Sequence, residues 1–213
     1  ESHGLPADWF TPSAGCAMCQ DTGYSGGALC ACVRNEAARR MFSDAGLTEK
    51  SPSFERFNPS VFPEKRLGNG RTLREQMAAL RDYALNYSDH FPDVPMPNLL
   101  FSGKPGCGKT FLLDCIAGRV IARGYWVVRA TAFSVNDTMA KAIFDRADPD
   151  SLFDCDLLAL DDLGTEPIFN KVTISSLFNL LNERTAKGKP FIISTNLTPD
   201  EILKRYGERI FSR

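Results

Sequence analysis

The chain of 213 residues carries 26 Asp and Glu against 25 Lys and Arg, a net charge of −1, with 43% hydrophobic and 24% charged residues. That is the balance of a folded globular protein of one full-sized domain plus a small appendage, and it excludes a global positive field that would draw in nucleic acid. No apolar run approaches the roughly 18 residues of a membrane span, and no signal-peptide pattern opens the chain, so a cytoplasmic location without a membrane partner is expected. The chain begins with Glu1 rather than Met and reaches Arg213 without a helix stop signal, so a trimmed start and further residues past Arg213 are expected.

Residues 1–35 are rich in Gly, Ser, Ala and Cys, and show no sustained helix or strand period. Such a segment buries little apolar surface and needs another source of order. A helical pattern runs from Asn35 to about Leu47, followed by a stretch with Pro52, Pro59 and Pro63 that also holds Phe54, Phe57 and Phe62. Residues 71–88 predict an amphipathic helix, with Leu73, Met77, Leu80, Ala84 and Tyr87 at helical spacing. Short apolar strands are predicted at 98–101, 126–128, 156–160 and 191–194, with helices at 111–123, about 134–146 and 172–187 between them. Thr198-Pro199-Asp200-Glu201 starts a last helix, with Thr as cap and Glu closing a capping box. Strands alternating with helices imply a parallel α/β sheet covered on both faces. The expected organisation is an N-terminal segment and helix over 1–47, a linker over 48–70 and the α/β domain over 71–213.

Between the first of these strands and its helix lies Gly103-Lys104-Pro105-Gly106-Cys107-Gly108-Lys109-Thr110, which fits the phosphate-loop pattern at every fixed position. Gly106 and Gly108 let the backbone curl so that its amides converge, and the following helix, opening at Phe111, adds its positive end. Lys109 is expected on the outer phosphates of ATP or ADP and Thr110 on Mg²⁺. Asp161 and Asp162 end a buried strand roughly 50 residues downstream, where this class of ATPase holds Mg²⁺ and orients the attacking water. Asp161 is the expected metal partner and Asp162 the expected catalytic group. Asn196 ends the next strand and is expected beside the γ-phosphate, a turn being the alternative. Arg205, Arg209 and Arg213 recur every four residues, either as a solvated stripe or as an arginine finger for a neighbouring subunit.

Of the seven cysteines, Cys16, Cys19, Cys30 and Cys32 fall within seventeen positions. An odd total without an export signal argues against a disulfide framework, and four clustered thiols suit tetrahedral Zn²⁺, which would order the segment. Free thiols or an iron–sulfur cluster are the alternatives.

The motifs NLLFSGKPGCGKTFL, DLLALDDLGTE, FIISTNLTPDE and RYGERIFSR follow one another over about residues 54–213. With them the chain resembles the DnaC/DnaI-type replicative helicase loaders, a branch of the AAA+ ATPases that also holds the IstB transposition ATPases. CAMCQDTGYSGGALCAC looks like the cysteine-bearing segment preceding the ATPase in loaders of Gram-positive bacteria and their mobile elements, whereas IstB-type proteins usually begin with helices. The resemblance implies an AAA+ P-loop domain with a parallel five-stranded sheet sandwiched by helices, and a chain that stops before the family's helical lid. It implies Mg-dependent ATP hydrolysis, expected to be slow because Asp161-Asp162 stands where many relatives have Asp-Glu. It assigns Lys109 and Thr110 to Walker A, Asp161 and Asp162 to Walker B, Asn196 to sensor 1, and Arg213 to the arginine finger with Arg209 as the nearby alternative. The implied partners are a replicative ring helicase, gripped through the N-terminal region, single-stranded DNA, and further copies of the chain on the helicase ring. Phe133 is similar in place to a DNA-contacting position, with core packing as its alternative. An IstB-type regulator binding DNA and a transposase is the second functional reading.

Overall fold

Gly26 and Gly27 take left-handed φ values of 61° and 80°, the geometry of a two-residue hairpin turn. They join β1 (Tyr24–Ser25) to β2 (Ala28–Leu29) as an antiparallel pair. The computed structural model describes residues 14–48, 50–68, 70–143, 146–168 and 170–212. The chain divides into two compact units, the second beginning at Met41. Helix α1 (Ala31–Asp44) follows the hairpin, starting four residues before the predicted Asn35. It buries none of its own side chains, so apolar periodicity carries no record of where it begins.

In the second unit, two short 3₁₀ turns, Phe54–Arg56 and Pro59–Val61, precede α2 (Leu73–His90). Thr72 caps α2 by accepting from the Glu75 amide, while the Glu75 side chain accepts from the Thr72 amide. Then come β3 (Leu99–Ser102), α3 (Lys109–Ala122), β4 (Val127–Thr131), α4 (Ala132–Ala142), α5 (Asp150–Asp154), β5 (Leu157–Leu163), α6 (Asn170–Ala186), β6 (Phe191–Thr195), α7 (Pro199–Tyr206) and α8 (Glu208–Phe211). The capping box expected at Thr198 and Glu201 is present. The helix expected to reach 146 stops at Ala142, and Pro149, which cannot continue a helix, stands at the start of the unforeseen α5.

The sheet order is β3-β6-β5-β4, and all three pairings are parallel. Among the described residues it has four strands rather than the five expected: the fifth came from the family resemblance, and the sequence shows only four apolar runs of strand character. Side-chain alternation sorts the core into two layers. Leu157, Ala159 and Ile192 pack with α2 and α3, whereas Leu158, Leu160, Phe191 and Ile193 pack with residues of α4, α5, α6, α7 and α8. Because both faces are covered, β5 and β6 are buried almost throughout and read as continuous apolar runs. The C-terminal ends of β3, β5 and β6 lie side by side and carry the phosphate loop, the Asp161-Asp162 pair and Asn196. Among the described residues no helix is long and apolar enough to cross a membrane.

Candidate functional site

The loop after β3 turns where the sequence places its glycines. Gly106 and Gly108 adopt φ of 78° and 91°, which favour glycine, and α3 opens at the next residue, Lys109. Lys109 is 9% exposed. Its Nζ donates to the carbonyls of Gly103 (2.8 Å) and Lys104 (2.9 Å) and to Asn196 Oδ1 (2.8 Å). The Cys107 sulfur lies 3.7 Å from the same ammonium, and no carboxylate is among its hydrogen-bond partners. Pro105, Gly106, Gly108, Lys109, Thr110, Phe111, Asp162 and Asn196 line one cavity of ≈ 360 Å³. Residues picked from three separate stretches of sequence therefore converge on one space.

Asp161 lies behind that cavity, 4% exposed. Its Oδ1 accepts from Thr110 Oγ1 at 3.0 Å and from the Ser194 hydroxyl, and its Oδ2 accepts from Arg129 Nη2 at 3.2 Å. Arg129 also donates through Nε to Asp114 at 2.5 Å, where burial raises the carboxyl above the usual carboxylate range against the pull of that guanidinium. The next residue, Asp162, has a left-handed φ of 55° at a register shift between β5 and β6, so the bulge turns its side chain towards the cavity. Its amide donates to Ser194 Oγ at 3.1 Å. The sequence reading gave no role to Arg129, Ser194 or Asp114: Ser194 stands inside FIISTNLTPDE without a function of its own, and Arg129 and Asp114 belong to none of the motifs.

It also missed the second cavity, of ≈ 560 Å³, which shares Pro105, Gly106, Cys107 and Gly108 with the loop and is lined on its far side by Phe57, Phe62 and Met77. The rings of Phe57 and Phe62 stack with centroids 6.0 Å apart, and Phe57 lies 6.1 Å from Phe111. Three phenylalanines among the prolines of 52–63 were the available signal.

In the first unit the four Sγ atoms of Cys16, Cys19, Cys30 and Cys32 lie within 4.8 Å of one another, the one such metal-capable group among the described residues. Cys16 and Cys30 are 3.8 Å apart and Cys19 and Cys32 3.5 Å. Tetrahedral zinc with bonds of about 2.3 Å needs sulfurs about 3.8 Å apart, so these thiols fit the ion. Backbone amides of Cys19 and Met18 lower the Cys16 thiol to about 7, while the hydrogen bond with Cys19 raises the Cys32 thiol to about 12, the pattern of neighbouring thiols that share protons.

Four further positions carried two readings in the sequence. Phe133 is 57% exposed on α4, which removes core packing as its reading. Arg205 donates through Nη2 to the Glu166 carbonyl at 2.6 Å, so it is no freely solvated stripe residue. Arg209 is exposed on α8, and Arg213 lies outside the described residues.

A sequence model of the ATPase family associated with various cellular activities (AAA) matches residues 99–213. The replicative helicase loader DnaC of Escherichia coli (strain K12) is 30% identical over 145 residues, covering 65% of this chain and 57% of that protein. The chain thus spans little more than half the length of that relative. The crystal structure of the DnaC helicase loader aligns with a TM-score of 0.59 at 18% identity, covering 75% of this chain and 92% of that one. AMPPCP-bound DnaA from Aquifex aeolicus aligns at 0.57 and 22%, covering 76% and 46%. At such identities the two structures speak to the fold alone.

Proposed function

The chain belongs to the ATPase family associated with various cellular activities (AAA), and from that premise we propose that it is an ATP-switched loader of a replicative ring helicase onto single-stranded DNA. The observation that carries the switch is Lys109, an enclosed ammonium with no carboxylate among its hydrogen-bond partners, facing a cavity shared with Asp162 and Asn196. A buried charge without a counter-charge is matched by an anion, and the converging loop amides and the start of α3 favour phosphate. The loader half rests on the similarity to Escherichia coli DnaC.

In this reading the nucleotide's phosphates lie in the cavity over Gly106 and Gly108, and its base enters the adjoining space between Phe62 and Met77. Mg²⁺, held by the Thr110 hydroxyl and the Asp161 carboxylate, would neutralise phosphate charge there. Asp162 orients the water that attacks the γ-phosphate, and Asn196 reports its presence through the bond it shares with Lys109. Arg213, with Arg209 as the nearby alternative, completes a neighbouring copy's site. The cysteine segment, ordered by Zn²⁺, meets the helicase. Exposed Phe133 offers a stacking face to single-stranded DNA.

Native mass spectrometry of the chain mixed with the ring helicase of its source, with and without ATP, tests this. A discrete complex with several copies per ring is expected, and its masses also count nucleotide and metal. Failure to form it, with ATP-driven filaments on added DNA instead, would transfer the chain to the transposition-regulator reading.

A further inference from the structure

Glu166 is 3% exposed, more enclosed than Asp161, and stands four residues beyond Asp162. Its Oε2 accepts from the Gly164 amide at 2.9 Å and its Oε1 from the Tyr206 hydroxyl, while its carbonyl accepts from Arg205 at 2.6 Å. Two side chains in the last turn of α7 thus grip the loop that leaves β5. On its inner side the loop is locked to Asp162, whose carbonyl accepts from Thr165 Oγ1 at 2.9 Å. On its outer side Tyr206 is buried, and after Gly207 the chain turns into α8, which presents Arg209 to solvent and buries Ile210. Enclosing a carboxylate carries a desolvation cost, which the Arg205 guanidinium, its Nε 3.9 Å from Oε1, helps to offset, and an apolar side chain would hold two elements together without that cost. What a carboxylate with divided oxygens adds is a fixed direction.

We infer that Glu166 is a positioning residue: it couples the loop after Asp162 to the α7–α8 corner, so that the state of the nucleotide cavity sets where Arg209 is held. This rests on the reading in which the arginine end serves a neighbouring copy's site.

The test uses the full chain with Glu166→Gln and with Tyr206→Phe, which keeps the ring in the core and removes only the hydroxyl. Both should bind a fluorescent ATP analogue within about twofold of the parent, while hydrolysis per site at high protein concentration falls about tenfold or more. An unchanged rate, or affinity and rate falling in step with melting temperature, overturns the inference. Mixing separates it from its premise. At an ATP concentration that fills wild-type sites but not the weakened Lys109→Ala sites, Lys109→Ala chains still present their α7–α8 corner, so in excess they should raise hydrolysis by limiting wild-type chains. The same chains carrying Glu166→Gln should not. Equal stimulation by both removes Glu166 from the coupling and leaves the shared site standing. No stimulation by Lys109→Ala alone removes the shared site, and the coupling with it.

Discussion

At Lys109 the charge, the burial and the acceptors all bear on one measurable quantity. The ammonium holds together Gly103, Lys104 and Asn196 from two strands' ends. Its removal strips the cavity of its enclosed cation while leaving the glycine turn and the amides of α3 intact. Lys109→Ala is therefore expected to weaken binding of a non-hydrolysable ATP analogue by about 10- to 100-fold, the worth of one charge-assisted contact, with the melting temperature of the second unit little changed. Calorimetric titration measures it, and unchanged affinity would remove the nucleotide from this cavity. At this scale the sequence was informative where chemistry demands fixed spacing: Gly106, Gly108, Lys109, Thr110, Asp162 and Asn196 do share one space. It gave no role to Arg129, Ser194 or Glu166, although the last two stand inside quoted motifs, because their partners come from strand register and helix packing that set no spacing along the chain.

Elements show the same division. The four strands were legible because a parallel strand covered on both faces must be apolar along its length, as Leu157 to Leu160 and Phe191 to Ile193 are. The start of α1 was not legible, since none of its side chains is fully buried and the partly buried Met41 and Phe42 lie towards its C-terminal end. The loop between β5 and α6 carries no feature in the sequence reading, yet it is held closely against the segment after β6. Gly164 has φ of 108°, and a Cβ built there would lie 2.7 Å from Leu197 Cδ1, the residue after Asn196. Only glycine lets the two loops approach this closely. Gly164→Ala should cost about 1–3 kcal/mol through overpacking and backbone strain. It should also slow hydrolysis by pushing Leu197, and Asn196 with it, away from the cavity. Chemical denaturation gives the first quantity and a steady-state phosphate assay the second. A variant with parental stability would show that Leu197 yields freely and that the loops are not coupled by contact.

For the molecule as a whole, the two units draw their order from different sources. The second has a two-layer core around a covered sheet. In the first, among the described residues up to 40, the buried side chains are Cys19 and Cys30, while Met18, Tyr24 and Leu29 are exposed. A piece this small without a core does not hold its shape by burial. The sulfur positions fit tetrahedral zinc, and structural zinc sites release about 10–16 kcal/mol on binding, enough to order such a segment alone. Freshly reduced protein should therefore carry one zinc per chain by elemental analysis. Chelation should remove it and bring the amides of residues 14–32 to rapid hydrogen exchange, while the thermal transition of the second unit and its ATP affinity stay in place. Removal of metal with exchange unchanged would mean that the hairpin and the Asp21 carboxylate, which accepts from the Gly15 and Cys16 amides, suffice to order the segment. Finding no metal in the reduced protein would leave four free thiols and take away the zinc-ordered surface proposed to meet the helicase.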